Sequence, residues 1–503
     1  MEKTLLLGVD VGSTSVKCVA VSPDGAIAAS STGAYPLDSP NPGWVEQKAE
    51  HWWRAALGAI RHCVSLAGGK NMAAISFSGH MSAMVLLDGR NRPVRPSMLV
   101  ADNRSQPQVQ WLKDRYGSAI LESTGNIPVA AFVAPRLLWL KEHDPEALDA
   151  AQCFLFPKDY IRFRLTGRLE TEPTDAGNTL LYDIAAQDWN YKLIRELKLN
   201  EEMFPPLRRT AEPVGRLSRE ASALTGLPEG IPIVAGGADM ACSQLGTGAI
   251  KEGRIAVTLS TSIQVTVPLR RPTSKLAGAF TFHPSASEGA VYAMGSLFNG
   301  GLGVDWGMKL LMSSGAGRAA KKTKLERWTK EMESESPGSG GLLFLPFLVG
   351  SGTPRFDSND RGTWLGLSIG QSKPQLLHSV LEGITYSIRE NMEWLALEGS
   401  TTQQLVVGGG GSRNPVWRRL IANICARSVA VLENRDASAL GAAMLAGIGA
   451  GIYRSPEDAA AQAVRIAEEI EPDSGTIGEY DRLYAQYKEA YRALNQFYRD
   501  RSN

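Results

Sequence analysis

Asp10 stands just before a turn made of Gly12, Ser13, Thr14 and Ser15, and Lys17 follows it. In a tight turn several backbone N–H groups converge on one point, and such a concavity binds anions. The hydroxyls add donors and Lys17 adds positive charge, so the stretch has the parts of a phosphate grip. About halfway down the chain, Ser260, Thr261 and Ser262 form a second hydroxyl-rich turn within RIAVTLSTSIQVTV. A third stretch, LVVGGGGSRNPVWRRLIANIC, places Gly408 to Gly411 between an apolar run and a helix-like pattern. Glycines there let a flat ligand or a phosphate come close to the backbone, and the following helix offers its N-terminus. In AGGADMACSQLG, Asp239 sits at the mouth of a strand and the start of a helix. It suits a helix cap and equally a base that takes a proton from an alcohol attacking a phosphoryl group.

Other chemistries find no support. There is no GxxxxGK[ST], and no GxGxxG between a strand and a helix, so neither a P-loop nor a dinucleotide fingerprint is present. The cysteines, Cys18, Cys63, Cys153, Cys242 and Cys425, are odd in number and scattered, which reads as reduced thiols of a cytoplasmic protein. The histidines are dispersed as well, with no zinc spacing. A formal net charge of +1 gives no hint of a nucleic-acid or membrane partner. No apolar run is long enough to span a bilayer, and Asp10 interrupts the short apolar stretch that begins the chain.

These residues need elements to hold them. The chain of 503 residues is too long for one ordinary domain, and 43% hydrophobic content supplies real cores. Strand-like and helix-like segments alternate, which predicts an α/β fold. GVDVGSTSVKCVAVS reads as strand, turn, strand, and MAAISFSG and IPIVAGGADM read as buried strands feeding loops. HWWRAALGAIRHCVSLA has Trp52, Ala56, Ile60 and Cys63 on one helical face. Tyr480, Tyr484, Tyr487, Tyr491, Leu494 and Tyr498 make a stripe on the last helix, a packing face. The two hydroxyl-rich hairpins, one per half, suggest two related domains facing each other.

Taken in order over nearly the whole length, these stretches resemble the FGGY carbohydrate kinases of the actin-like ATPase superfamily. GVDVGSTSVK and VTLSTS resemble the two phosphate hairpins, IVAGGADMA the segment of the catalytic aspartate, and GGGGSRNPVWRRLIANI the adenosine motif. LPFLVGSGTPRFDSNDRGTWLGL, LLHSVLEGITYSIREN, FPKDYIRFRLTGRLETEPTDAGNT and APRLLWLKEH resemble further family signatures. The resemblance implies two actin-like (ribonuclease H-like) α/β domains, 1–245 and 246–503, with the active-site cleft between them. The last helix is expected to pack back on the first domain. ATP and Mg²⁺ are the implied cofactors, and a homodimer is an implied assembly. Asp10 would hold Mg²⁺ through water. Gly12, Ser13, Thr14 and Lys17 would grip the phosphates from one side, and Ser260 and Thr261 from the other. Gly301, Gly409, Gly410 and Asn414 would border the nucleoside. Asp239 would be the general base, with His80, Met81, Ser82 and Met240 beside it against the sugar.

Within the family the likeness is strongest to the xylulokinase branch, through YPLDSPNPGWVEQKAEHWW and SGHMSAMVLLDGRNRPVRP. That branch has methionine then histidine where this chain has Met81 then Ser82. It has asparagine where this chain has Met240, and glycine where it has Ser260. A site that reads hydroxyls loses discrimination when a polar partner is removed. The implied reaction is therefore phosphoryl transfer from ATP to a small sugar, a ketopentose such as D-xylulose first, with another ketose, a deoxy sugar or a polyol as the alternative. An actin-like ATPase without a small substrate would lack the sugar-loop signatures. A sugar sensor without turnover would have no need of both Asp10 and Asp239.

Overall fold

The computed structural model describes residues 4–312, 318–397 and 402–500; Met1, Glu2 and Lys3, at the start of the opening stretch, lie outside them. The first apolar run is strand β1 (Leu5–Val11), joined by the glycine and hydroxyl turn to β2 (Ser15–Val21) and then β3 (Ile27–Ala34). Helix α1 (Ala49–Ala67) buries Trp52, Ala56, Ile60 and Cys63, the face their spacing predicts. Next come β4 (Met72–Gly79), α2 (Pro157–Thr166), β5 (Pro232–Val234) and α3 (Asp239–Gly246). β1, β2 and β3 pair antiparallel, while β4 runs parallel to β1 and β5 parallel to β4. The order across the sheet is β3-β2-β1-β4-β5, with short strands added at its edge.

The second sheet repeats the plan. β6 (Arg254–Leu259) and β7 (Ile263–Leu269) form the second hairpin, and β8 (Val291–Leu297) adds to β7. Helices α4 (Gly301–Leu311) and α5 (Lys373–Ala396) precede β9 (Gln404–Gly408), α6 (Pro415–Cys425), β10 (Ser428–Leu432) and α7 (Ala437–Gly449). β9 runs parallel to β6 and β10 parallel to β9, giving β8-β7-β6-β9-β10. This is the actin-like α/β plan used twice.

The final helix α8 (Ser474–Asp500) corrects one expectation. It packs on α5 and α6 of the second half, not on the first domain. Tyr480, Tyr484 and Tyr487 enter the second core, and Tyr386 on α5 meets the rings of Tyr484 and Tyr487 at 5.9 and 5.3 Å. The stripe found its aromatic partner within its own half. What reaches back is α7, which lies on β1 and β4 and against α3.

Strand periodicity decides which side chains face α7. Leu5, Leu7, Val9 and Val11 of β1 join the core under α1, whereas Leu6 joins the core under α7. Successive strand residues point to opposite faces, so Gly8 and Asp10 share the side of Leu6. The same alternation puts Lys17 of β2 with Val19, and Ser78 of β4 with Ala74. A third core, from Met84 to Phe204, fills the lobe inserted between β4 and β5.

Small residues let α7 come close. A Cβ on Gly441 would lie 1.9 Å from the Cys242 carbonyl oxygen, and one on Gly8 would lie 1.9 Å from that of Ala439. Gly441→Ala is expected to cost ~1–3 kcal/mol or more by overpacking, seen as a lower melting temperature in calorimetry. Gly58 in α1 has open space around it, so Gly58→Ala is the control and should not destabilise. Equal melting of the two variants would show that α3 and α7 part without cost.

Candidate active site

Asp10, near the carboxyl end of β1, is paired in register with Lys17 on one side and Ser78 on the other. The Ser78 hydroxyl donates to Asp10 Oδ1 at 2.8 Å. Ser78 also stands in register with Gly237, two residues before Asp239. One rung of three strands therefore brings Asp10 and the start of α3 to the same end of the sheet. Ala238 is the N-cap of α3 and makes no side-chain cap; Asp239 is the first helical residue, and the Met240 N–H donates to its Oδ1 at 2.7 Å. The helix-cap reading of Asp239 is thus replaced: it is the first helical residue, and it is half-buried. Burial and the negative charge of Asp10 push it up to about 7, against the pull of the Met240 N–H. Burial also raises Asp10, countered by the Ser78 hydroxyl and Lys17.

The first turn is held from behind. Gly12 N–H donates to the Ser15 carbonyl at 3.0 Å, Gln47 donates to the Ser13 carbonyl at 2.8 Å, and Tyr35 donates to the Gly12 carbonyl. Ser13 and Thr14 are left exposed. Lys17 differs from expectation, since its ammonium is paired with Asp436, just before α7. It ties the two halves together and is no free cation in this arrangement.

The second turn faces from the other half. Ser260 folds its hydroxyl back onto the Ser262 carbonyl at 2.7 Å, leaving Thr261 exposed. Gly301 N–H donates to the Ser260 carbonyl at 2.7 Å, and a Cβ on Gly301 would lie 2.8 Å from that oxygen. The glycine run has packing reasons that sequence alone did not show. A Cβ on Gly409 would meet the Leu259 carbonyl at 2.5 Å, and one on Gly411 would meet Trp417 at 2.8 Å, whereas Gly410 has open space and is exposed. Asn414 caps α6, accepting from Val416 and Trp417 N–H at 3.0 and 3.3 Å.

The loop after β4 completes the arrangement. His80 is buried against the Trp52 ring at 5.3 Å, with no hydrogen-bond partner for either ring nitrogen among the described residues, and burial with nearby Arg136 lowers it to about 3. Ser82 is buried at φ 68°, and Arg136 donates to its carbonyl. Met81 lies 3.9 Å from the hydroxyl of Tyr292 on β8. Met81 and Met240 border one apolar cluster that contains Tyr292. A cavity of about 630 Å³ bordered by Tyr182, Arg208, Thr210, Ser285 and Ile448 includes none of these residues.

Comparison with known proteins decides the family. Residues 5–246 match the N-terminal domain, and residues 255–450 the C-terminal domain, of the FGGY family of carbohydrate kinases. The chain belongs to the FGGY family of carbohydrate kinases. It is 33% identical to a xylulose kinase of Bacillus subtilis, over 97% of this chain and 96% of that one. The structure of a ligand-bound xylulose kinase from Lactobacillus acidophilus matches with TM-score 0.90 and 25% identity, covering 99% of each chain. A gluconate kinase from the same organism matches with TM-score 0.89 and 26% identity, covering 98% of each. The protein is an ATP-dependent sugar kinase.

Several residues of this kinase site escaped the sequence reading. Ser78 carries no motif of its own; only its register beside Asp10 marks it. Asp436 lies far from Lys17 in sequence, and Arg136 and Tyr292 are polar residues inside apolar runs. The raised Asp239 carboxyl gives a test. It is protonated below about 7, so a base there is lost as pH falls. kcat/KM for the sugar should fall ~tenfold per unit below that point. By linkage the same group favours the folded state at acid pH, and that contribution disappears as pH rises through about 7. A kcat/KM profile flat from pH 5 to pH 8 on the scale of ~1 log unit would remove Asp239 as the base.

Proposed function

We propose that this kinase transfers the γ-phosphate of ATP to a primary hydroxyl of a ketopentose, with Asp239 as general base. The observation that carries this reading is the half-buried Asp239 carboxyl, raised to about 7, at the sheet end that also bears Asp10. The sugar hydroxyl would lie against Asp239, which takes its proton as the oxygen attacks. The exposed donors at 13–14 and 261 would hold the transferring phosphate from its two sides, where preorganised donors count most against developing charge. Gly410, open and exposed, and the α6 N-terminus would border the nucleoside.

Mg²⁺ fits at Asp10. One Asp10 oxygen is taken by Ser78, and a cation that keeps most of its waters and binds phosphates needs only one or two carboxylates. Among the described residues no group of three His, Cys, Asp or Glu side chains is placed to hold a metal. When bound, Mg²⁺ would neutralise charge on the ATP phosphates.

Asp239→Asn should reduce kcat ~10²–10⁴-fold while sugar binding, read by calorimetry, stays within a few-fold. Asp10→Ala should abolish Mg²⁺-dependent turnover with the same sugar binding. Wild-type turnover in the Asn variant would refute the assignment.

The sugar is read from the pocket wall. D-xylulose should be accepted, as the resemblance to xylulose kinases supports. Ser82 and Met240 stand where the branch places histidine and asparagine, and Met240, packed on an apolar cluster, favours a carbon whose hydroxyl is absent or turned away. An ADP-release panel over ketopentoses, ketohexoses, aldonates including D-gluconate, and polyols should find D-xylulose active but not clearly best. Strong selectivity for D-xylulose over the whole panel would contradict this.

A further inference from the structure

Behind Asp239 lies a cluster of charges with no exposure at all: Lys158, Asp159, Arg162, Glu172 and Asp175. Lys158 Nζ lies 2.7 Å from Asp159, 3.2 Å from Glu172 Oε1 and 3.0 Å from Asp175. Arg162 lies 3.0 Å from Asp159. Thr174 sits between this cluster and α3. Its hydroxyl donates to Glu172 Oε1 at 2.8 Å and accepts from the Ala238 N–H at 2.7 Å. Ala238 is bonded to Asp239. Arg162 donates to the Ala235 carbonyl at 2.7 Å. The cluster thus grips both ends of the segment 235–238, whose Gly236, at φ +89°, rests on Phe77 so tightly that a Cβ would lie 2.0 Å from its carbonyl oxygen. Lys158 also packs beneath Gly79, the last residue before His80.

Stability does not account for such a cluster, because apolar residues of similar volume are often as good or better in a core. Direction does. A chain of ionic and hydrogen bonds runs Lys158, Glu172, Thr174, Ala238 and ends one peptide from the carboxyl that must meet the sugar. We propose that this cluster positions Asp239 through the Thr174 hydroxyl, so that Thr174 is a positioning residue for the phosphoryl transfer. The proposal rests on Asp239 being the base. Thr174 and Glu172 are fully buried, so the role proposed for them is positioning and not contact with the reacting groups.

The test compares Thr174→Val, nearly the same shape without the hydroxyl bond, with Thr174→Ser, which keeps it. Both are assayed on the full chain with D-xylulose and ATP, beside Asp239→Asn, with melting temperatures measured. A displacement of ~1 Å at a reacting group costs up to ~10²-fold. Thr174→Val should therefore lose ~10- to 100-fold in kcat, with KM for ATP within ~twofold. Thr174→Ser should recover kcat to within ~threefold. A folded Thr174→Val at wild-type kcat overturns the proposal, and so does a folded Thr174→Ser as slow as the valine variant. If the valine variant does not fold, Thr174→Ala carries the same comparison, and wild-type kcat in it overturns the proposal equally. An inactive Asp239→Asn beside a fully active Thr174→Val removes the positioning role alone. An active Asp239→Asn removes the function it serves.

Discussion

The contact on which this kinase depends is the crossing of α3 and α7. Each helix follows the last core strand of its own half, so the two are equivalent parts of a repeated plan. Gly246 would place a Cβ 2.0 Å from the Ala437 carbonyl, and Gly441 one 1.9 Å from that of Cys242. Only glycine permits backbone to approach backbone so closely. The crossing turns the two sheets toward each other, and their hydroxyl-rich turns come with them. The phosphate grip proposed for the turns would draw on both halves.

From that crossing the charges follow. Period-two alternation sends Asp10, Lys17 and Ser78 to the α7 side, into the space the two halves share. Two carboxylates then lie close enough to act on each other, and the burial that brings them there disfavours both charges. Asp239 responds by holding its proton to about 7. Asp10 has Ser78 and Lys17 to support its charge. The difference in support suits Asp10 to the cation and Asp239 to the proton exchange proposed for them.

Much of this was legible in the residues. Both hairpins, MAAISFSG as a strand and the buried face of α1 follow from alternation and helical period, which are local properties. The family likeness supplied the pairing of Asp10 with Asp239. What could not be read were effects created by close approach across long sequence separations. The glycine run after β9 looks like a ligand cradle, yet Gly409 and Gly411 are glycines because Leu259 and Trp417 press on them. Lys17 looks like a free phosphate ligand until Asp436 arrives from the other half. The tyrosine stripe announces a packing face but not which half carries its partner.

The loop after β4 links the two halves. His80 and Ser82 are fixed from within the first domain, by Trp52 and by Arg136. Met81, between them, reaches across instead to Tyr292 on β8 of the second sheet. Tyr292 is itself buried, and burial with the charge of Asp239 raises its phenol, so it stays a neutral donor. Among the described residues its hydroxyl meets the thioether sulfur of Met81, a weak acceptor. A sugar hydroxyl or carbonyl brought near Met81 would be a better one. With the sugar bound beside Met81, as proposed, the second domain would gain a contact. That differential contact is what a closing motion needs, because a ligand shifts a domain equilibrium only by binding one state better than the other.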